Sequence, residues 1–210
     1  MKTRAVRVFV AVALATAVAT ASAQDPRIGT RLDAPTRAAL VALVDSARAQ
    51  GLPVEPLMEK VYEGVGKGAD GPRIVAAVRS LTLEMASAHR ALGTVASADE
   101  IKAAASAMHA GVPAVELGKM KKESSKLRRS LTLPFTVLAD IVSRGVPVQT
   151  AANAIRSLVG AGARDADINT FQRNVSEDIE QGAPPAAAAE TRAKGAVPPA
   201  KPESTKPEFL

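Results

Sequence analysis

The chain has 210 residues, 47% of them hydrophobic, a formal net charge of +6, no cysteine, no tryptophan, four Phe and one Tyr. The absence of cysteine excludes disulfides and a lipid-modified cysteine, so stability must come from packing. With so few rings the core must be aliphatic and alanine-rich, and carbohydrate or nucleic-acid readers that stack on aromatic side chains are disfavoured.

The first 23 residues read as an export signal. Lys2, Arg4 and Arg7 form a basic start, Val8 to Ala19 is apolar, and Ala21-Ser22-Ala23 is a small-x-small site with cleavage expected after Ala23. The apolar run is shorter than the roughly 20 residues a membrane span needs, and no other stretch reaches that length, so no transmembrane segment is expected in the mature chain. Removal of the signal takes the charge from +6 to +3, because three bases leave and no acid does. The expected product is soluble, in the periplasm or outside the cell, with a short leader over 24–32.

A recurring joint organises the rest of the chain. Gly51-Leu52-Pro53 returns as Gly111-Val112-Pro113, as Gly145-Val146-Pro147 and, more loosely, as Gly182-Ala183-Pro184. Glycine just past a helix supplies the left-handed turn that ends it, and the proline lies where the next helix can begin without its missing N–H. Residues 51–85 laid over 145–179, at an offset of 94, match at nine of 35 positions, among them Gly51, Pro53, Gly68, Ile74 and Arg79 with Gly145, Pro147, Gly162, Ile168 and Arg173. The expected fold is all-α: about seven short helices in tandem hairpins over 33–181, solenoid-like or a compact bundle. Its copies run over about 34–92 and 128–181, with a divergent middle hairpin over 97–127.

In chain order, Asp33 caps a first helix with Leu40, Leu43, Val44 and Ala47 on one face. Past the joint, Val54, Leu57, Met58, Val61 and Val65 repeat the stripe. Gly66, Gly68 and Gly71 fit the spacing of a dinucleotide-binding loop, but a helix precedes them where that motif needs a strand, so a helix-to-helix turn is the better reading. From Pro72 a long helix carries Ile74, Val78, Leu81, Met85 and Leu92, and Ser97 with Glu100 forms a capping box that opens the next. His89 and His109 lie on these consecutive helices. A turn near Val95 would set His109 level with Leu81 and keep the two rings roughly 12 Å apart, too far for a shared metal.

Residues 114–130 are the most charged segment. Leu117, Met120, Leu127 and Leu131 share one face, and Lys119, Lys122, Lys126 and Arg129 stack opposite, with Lys121 and Arg128 to the side. That stripe reads as a solvated face, or as a docking surface for anionic lipid, polyanion or an acidic partner. Phe135, Leu138, Ile141 and Val142 lead to the third joint; Val148, Ala151, Ala152, Ile155 and Leu158 form the next helix. Asp165 or Asp167 caps a last one carrying Ile168, Phe171, Val175 and Ile179. Residues 182–210, with six prolines and little to bury, are expected to be a disordered tail in which alanines 186–189 could extend a stray hairpin.

Nothing in the sequence forms a catalytic constellation. Glu59, Glu63 and Glu84 could each act as a general acid in a cell-envelope hydrolase, but the sugar groove such an enzyme needs lacks its rings. The expectation is an exported, non-enzymatic helical interaction protein, with an unknown protein as partner and no cofactor, metal or nucleic acid. A binder of anionic surfaces is the alternative, and an envelope enzyme ranks third.

Overall fold

A computed structural model describes residues 32–124 and 129–196. The segment 1–31, which holds the expected signal and most of the expected leader, the segment 125–128 with Lys126, Leu127 and Arg128, and the segment 197–210 lie outside the described residues. Among the described residues the chain is helical with no strand, in nine helices: α1 Ala34–Ala49, α2 Glu55–Gly66, α3 Gly71–Leu92, α4 Ala98–His109, α5 Ala114–Ser124, α6 Thr132–Ser143, α7 Val148–Gly160, α8 Asp165–Glu180 and α9 Pro185–Ala196. None of them is long and apolar enough to cross a membrane.

The start signals act as the sequence implies. The Asp33 carboxylate accepts the Thr36 amide at 2.7 Å, and at α4 both halves of the box form, Ser97 Oγ accepting the Glu100 amide at 3.1 Å and Glu100 Oε2 the Ser97 amide at 3.3 Å. At α8 neither candidate aspartate is the N-cap residue, which is Arg164; Asp165 and Asp167 are the first and third residues of the helix. Asp167 accepts the Arg164 amide at 2.8 Å, while Asp165 turns to Arg129.

All four joints end their helices in the same hydrogen-bond pattern, and so do two further glycine turns. At the third joint Val146 N–H reaches Ile141 O at 3.1 Å and Gly145 N–H reaches Val142 O at 2.9 Å, the paired closure of a Schellman stop. Gly145 holds φ +93°, which a side chain resists. The residue after the glycine is the apolar plug of the stop: Leu52, Val112, Val146 and Ala163 are all buried. Gly51 with Gly145, and Gly68 with Gly162, occupy the same turn in the two copies.

Packing runs through every second helix: α1 on α3, α3 on α5, α5 on α7, α7 on α9, and alongside them α4 on α6 and α6 on α8. Neighbours in sequence also pair, as in α2 with α3, α3 with α4, α6 with α7 and α8 with α9. The anticipated stripes form the core, with Leu57, Met85, Phe135, Ile155, Ile168 and Phe171 all fully or almost fully buried. Small residues allow the closest crossing. A Cβ on Gly118 of α5 would lie 3.2 Å from the Ala91 carbonyl oxygen of α3.

Three expectations change. Among the described residues nine helices replace about seven, the last of them, α9, lying in the segment expected to be a tail. Helix α5 is described as far as Ser124, and Arg129 and Ser130 are not helical, so the helix does not run to Ser130; Leu131 is instead buried at the start of α6 with its amide donated to Glu100 Oε1 at 2.8 Å. The helical part also extends past Gln181, since α9 buries Ala188, Ala189 and Ala193 against its neighbours. Alanine favours helix and lets helices approach closely, but it contributes no conspicuous apolar stripe to a sequence pattern.

Candidate functional site

The first copy contains a cleft of about 350 Å³ between three helices. Its floor is α3, through Ala77, Ser80, Leu81 and Glu84. One wall is α2, through Pro56, Glu59, Lys60 and Glu63, and the other is α4, through Lys102, Ser106 and His109. These residues meet because the faces that α2 and α4 turn away from the core are the charged ones, and α3 is long enough to underlie both.

Ion pairs organise the cleft. Lys102 reaches across from α4 to Glu59 on α2 at 2.6 Å, joining wall to wall. Lys60 and Lys67 both hold Glu63, at 2.6 and 2.5 Å, and their hydrogen bonds pull its carboxyl down to about 2. Glu84 on the floor accepts only from His109 Nδ1, at 3.1 Å, and from Ser80 Oγ, at 3.3 Å, both on Oε1. The structure thus gathers Glu59, Glu63 and Glu84, the three acids considered as general acids, into one cleft. A carboxyl held near 2 stays ionised at neutral pH, so Glu63 is poorly suited to donate a proton there. His109 is exposed and level with Leu81, while His89 is half-buried elsewhere on α3. Among the described residues no group of three or more His, Cys, Asp or Glu is placed to hold a metal.

A second cleft, of about 330 Å³, lies between α7 and α9. Its α7 side is Thr150, Asn153, Ala154 and Ser157, which stand 94 residues after Pro56, Glu59, Lys60 and Glu63. The α7 wall thus corresponds to the α2 wall, charged in the first copy and neutral in the second, while the other side of the second cleft is Glu190, Ala193 and Lys194 of α9 and α8 contributes no lining residue. Glycines and prolines reveal the repeat in the sequence, whereas the clefts stay hidden there because the cleft-lining positions are among those that differ.

Of the expected basic stripe, Lys119 and Lys122 are exposed on α5, and Arg129 departs from it. Lys119 pairs with Glu116 at 2.7 Å, and Lys126 lies outside the described residues. Arg129 is not on an outer helical face at all. It lies beyond α5, donates to the Ala163 carbonyl and pairs with Asp165 at 2.8 Å, fastening the start of α6 to the α7–α8 turn. The consequential cation of this region is Lys121, which pairs with buried Glu100 at 2.7 Å. Burial raises the Glu100 carboxyl, but hydrogen bonds from Lys121 and from the Leu131 and Ser97 amides outweigh it and hold the group below its ordinary value.

No family model, curated protein or solved structure matches this chain. The function of the site must therefore be argued from its own geometry.

Proposed function

We propose that the protein is an exported, non-enzymatic helical scaffold that binds a protein partner in the cleft between α2, α3 and α4. The observation that carries this reading is the cleft itself: a concavity of about 350 Å³ in which polar groups from three helices converge, one wall of which, α2, has its counterpart α7 lining a cleft in the second copy. The ion pairs that tie Glu59 and Glu63 to lysines, and the lowered pKa of Glu63, support recognition over acid catalysis. The succession of contacts between every second helix supports an open two-layer stack, in which such clefts stay accessible, over a closed bundle. Export rests on the basic, apolar and small-x-small order of residues 1–23.

The test is affinity capture from an envelope fraction with the chain from Gln24 onward as bait, beside its Ala77→Trp variant. Ala77 is exposed on the cleft floor, so the indole fills the cleft at little cost to the fold. A defined protein is expected on the native bait at physiological salt and not on the variant. Equal capture by both would refute the cleft. Salt-labile lipid or polyanion as the main companion of both would instead favour the anionic-surface alternative.

A further inference from the structure

The two copies differ at one carboxylate in a way that points to a ligand. Glu84 on α3 and Asp178 on α8 are separated by the repeat offset of 94, and their side chains are exposed to the same degree, 21% and 20%. In the second copy the protein supplies its own guanidinium. Arg192 of α9 grips Asp178 with both arms of its fork, Nη2 to Oδ1 at 2.6 Å and Nε to Oδ2 at 2.7 Å. In the first copy no arginine or lysine among the described residues pairs with Glu84, and its Oε2 has no hydrogen-bond partner. The other two acids of that cleft are each matched by lysine. Glu59, Glu63 and Glu84 stand against Lys60, Lys67 and Lys102, but all three lysines are taken by Glu59 and Glu63, so Glu84 is the acid of this cleft left without a lysine.

We infer that the first-copy cleft takes an arginine side chain of a partner peptide, with Glu84 receiving the guanidinium as Asp178 receives Arg192. This rests on the reading of the cleft as a partner site. The floor suits the whole side chain: the guanidinium pairs with Glu84, and the methylene stem lies along Leu81 and Ala77 one and two turns earlier on α3. Guanidinium is favoured over ammonium because a carboxylate with a free second oxygen accepts two parallel N–H bonds, the arrangement already present at Asp178. A peptide is favoured over free arginine because the cleft continues past Glu84 to Pro56 and Ser106, giving a backbone something to lie against.

The probe is the blocked peptide acetyl-Gly-Ser-Arg-Ser-Gly-amide, titrated into the mature chain and followed by amide NMR shifts. Saturable shifts are expected at Ser80, Leu81, Glu84 and His109. Replacing the arginine by neutral citrulline should weaken binding at least about 10-fold, and by lysine about 3-fold. Glu84→Gln should weaken the arginine peptide as much as citrulline does, while His109→Ala, which removes the internal competitor for Oε1, should leave binding equal or tighter. Thermal melting of both variants checks the fold, and each substitution is near the surface. Equal affinity for the citrulline peptide, full affinity in folded Glu84→Gln, or shifts centred on Lys119 and Lys122 would overturn the inference, as would free L-arginine binding as tightly as the peptide. Capture of a protein by native chain that is lost in Ala77→Trp but kept in Glu84→Gln would retain the partner cleft and remove only the guanidinium anchor.

Discussion

Glu100 is the residue through which the middle of the molecule is held. One carboxylate closes the cap of α4, takes the amide of Leu131 where α6 begins, and neutralises Lys121 of α5, all while only 5% of its side chain is exposed. Replacing it by Ala leaves the buried Leu131 amide unpaired and Lys121 without its partner. The expected cost is about 2–4 kcal/mol, read from the urea midpoint. Replacing it by Gln keeps the acceptor and removes the charge, which separates the electrostatic part. Because the folded carboxyl sits below its ordinary 4.5, its contribution is present above that pH and is lost as pH falls through the folded value. The stability gap between the native protein and Glu100→Gln should therefore be full at pH 7 and narrow below about pH 4.5. A gap that widened in acid would show that Glu100 is not the carboxylate held ionised. The Ser97 half of this node was legible as a capping box; the Lys121 and Leu131 halves were not, because they join positions 21 and 31 residues away that share no local pattern.

At the scale of elements, the joints carry the fold, and they were the most legible feature of the sequence because glycine reports a backbone requirement directly. Gly145 and Gly160 give a paired test. Gly145 holds φ +93°, and a Cβ there would meet only Pro185 Cγ at 3.7 Å, so the cost of Gly145→Val is conformational rather than steric. It should destabilise by about 1–2 kcal/mol or more. Gly160 is helical with open space around it, so Gly160→Ala should stabilise by about 0.5–1 kcal/mol. Opposite signs from two glycines in one copy would establish the stop; melting temperatures unchanged in both would refute it. What the pattern could not report is that the helix does not carry through to Leu131. The apolar spacing from Leu117 to Leu131 continues as a helix would, but Arg129 and Ser130 are not helical, and Arg129 and Leu131 bond instead to Asp165 and Glu100. The start of the tail escapes the pattern for the opposite reason, since α9 packs through alanines whose individual burial is small.

For the whole molecule, the two readings of the contacts from α1 on α3 onward to α9 differ in length. Five helices placed side by side at interaxial distances of roughly 8–10 Å would put α1 about 32–40 Å from α9, whereas a closed bundle would bring them within about 20 Å. The chain has no cysteine, so cysteines introduced at exposed Ala38 and Thr191 can be spin-labelled without background. A main dipolar distance near the longer value supports the open stack, and one near the shorter value excludes it. This order of helices also explains why the clefts were invisible beforehand: each is bounded by elements that are distant in sequence or joined by glycine turns, and no single helix displays it.

The claim on which the account turns is that the cleft, and not the outer surface of the repeat, meets a partner. A photo-crosslinking residue placed at Ser80 on the cleft floor, in cells that produce the protein, is the sharpest test, with the same residue at exposed Ala38 on α1 as the control. A discrete cross-linked species is expected from Ser80, absent from Ala38 and lost when Ala77→Trp is added. A species formed equally from both positions, or from Ala38 alone, would contradict the claim.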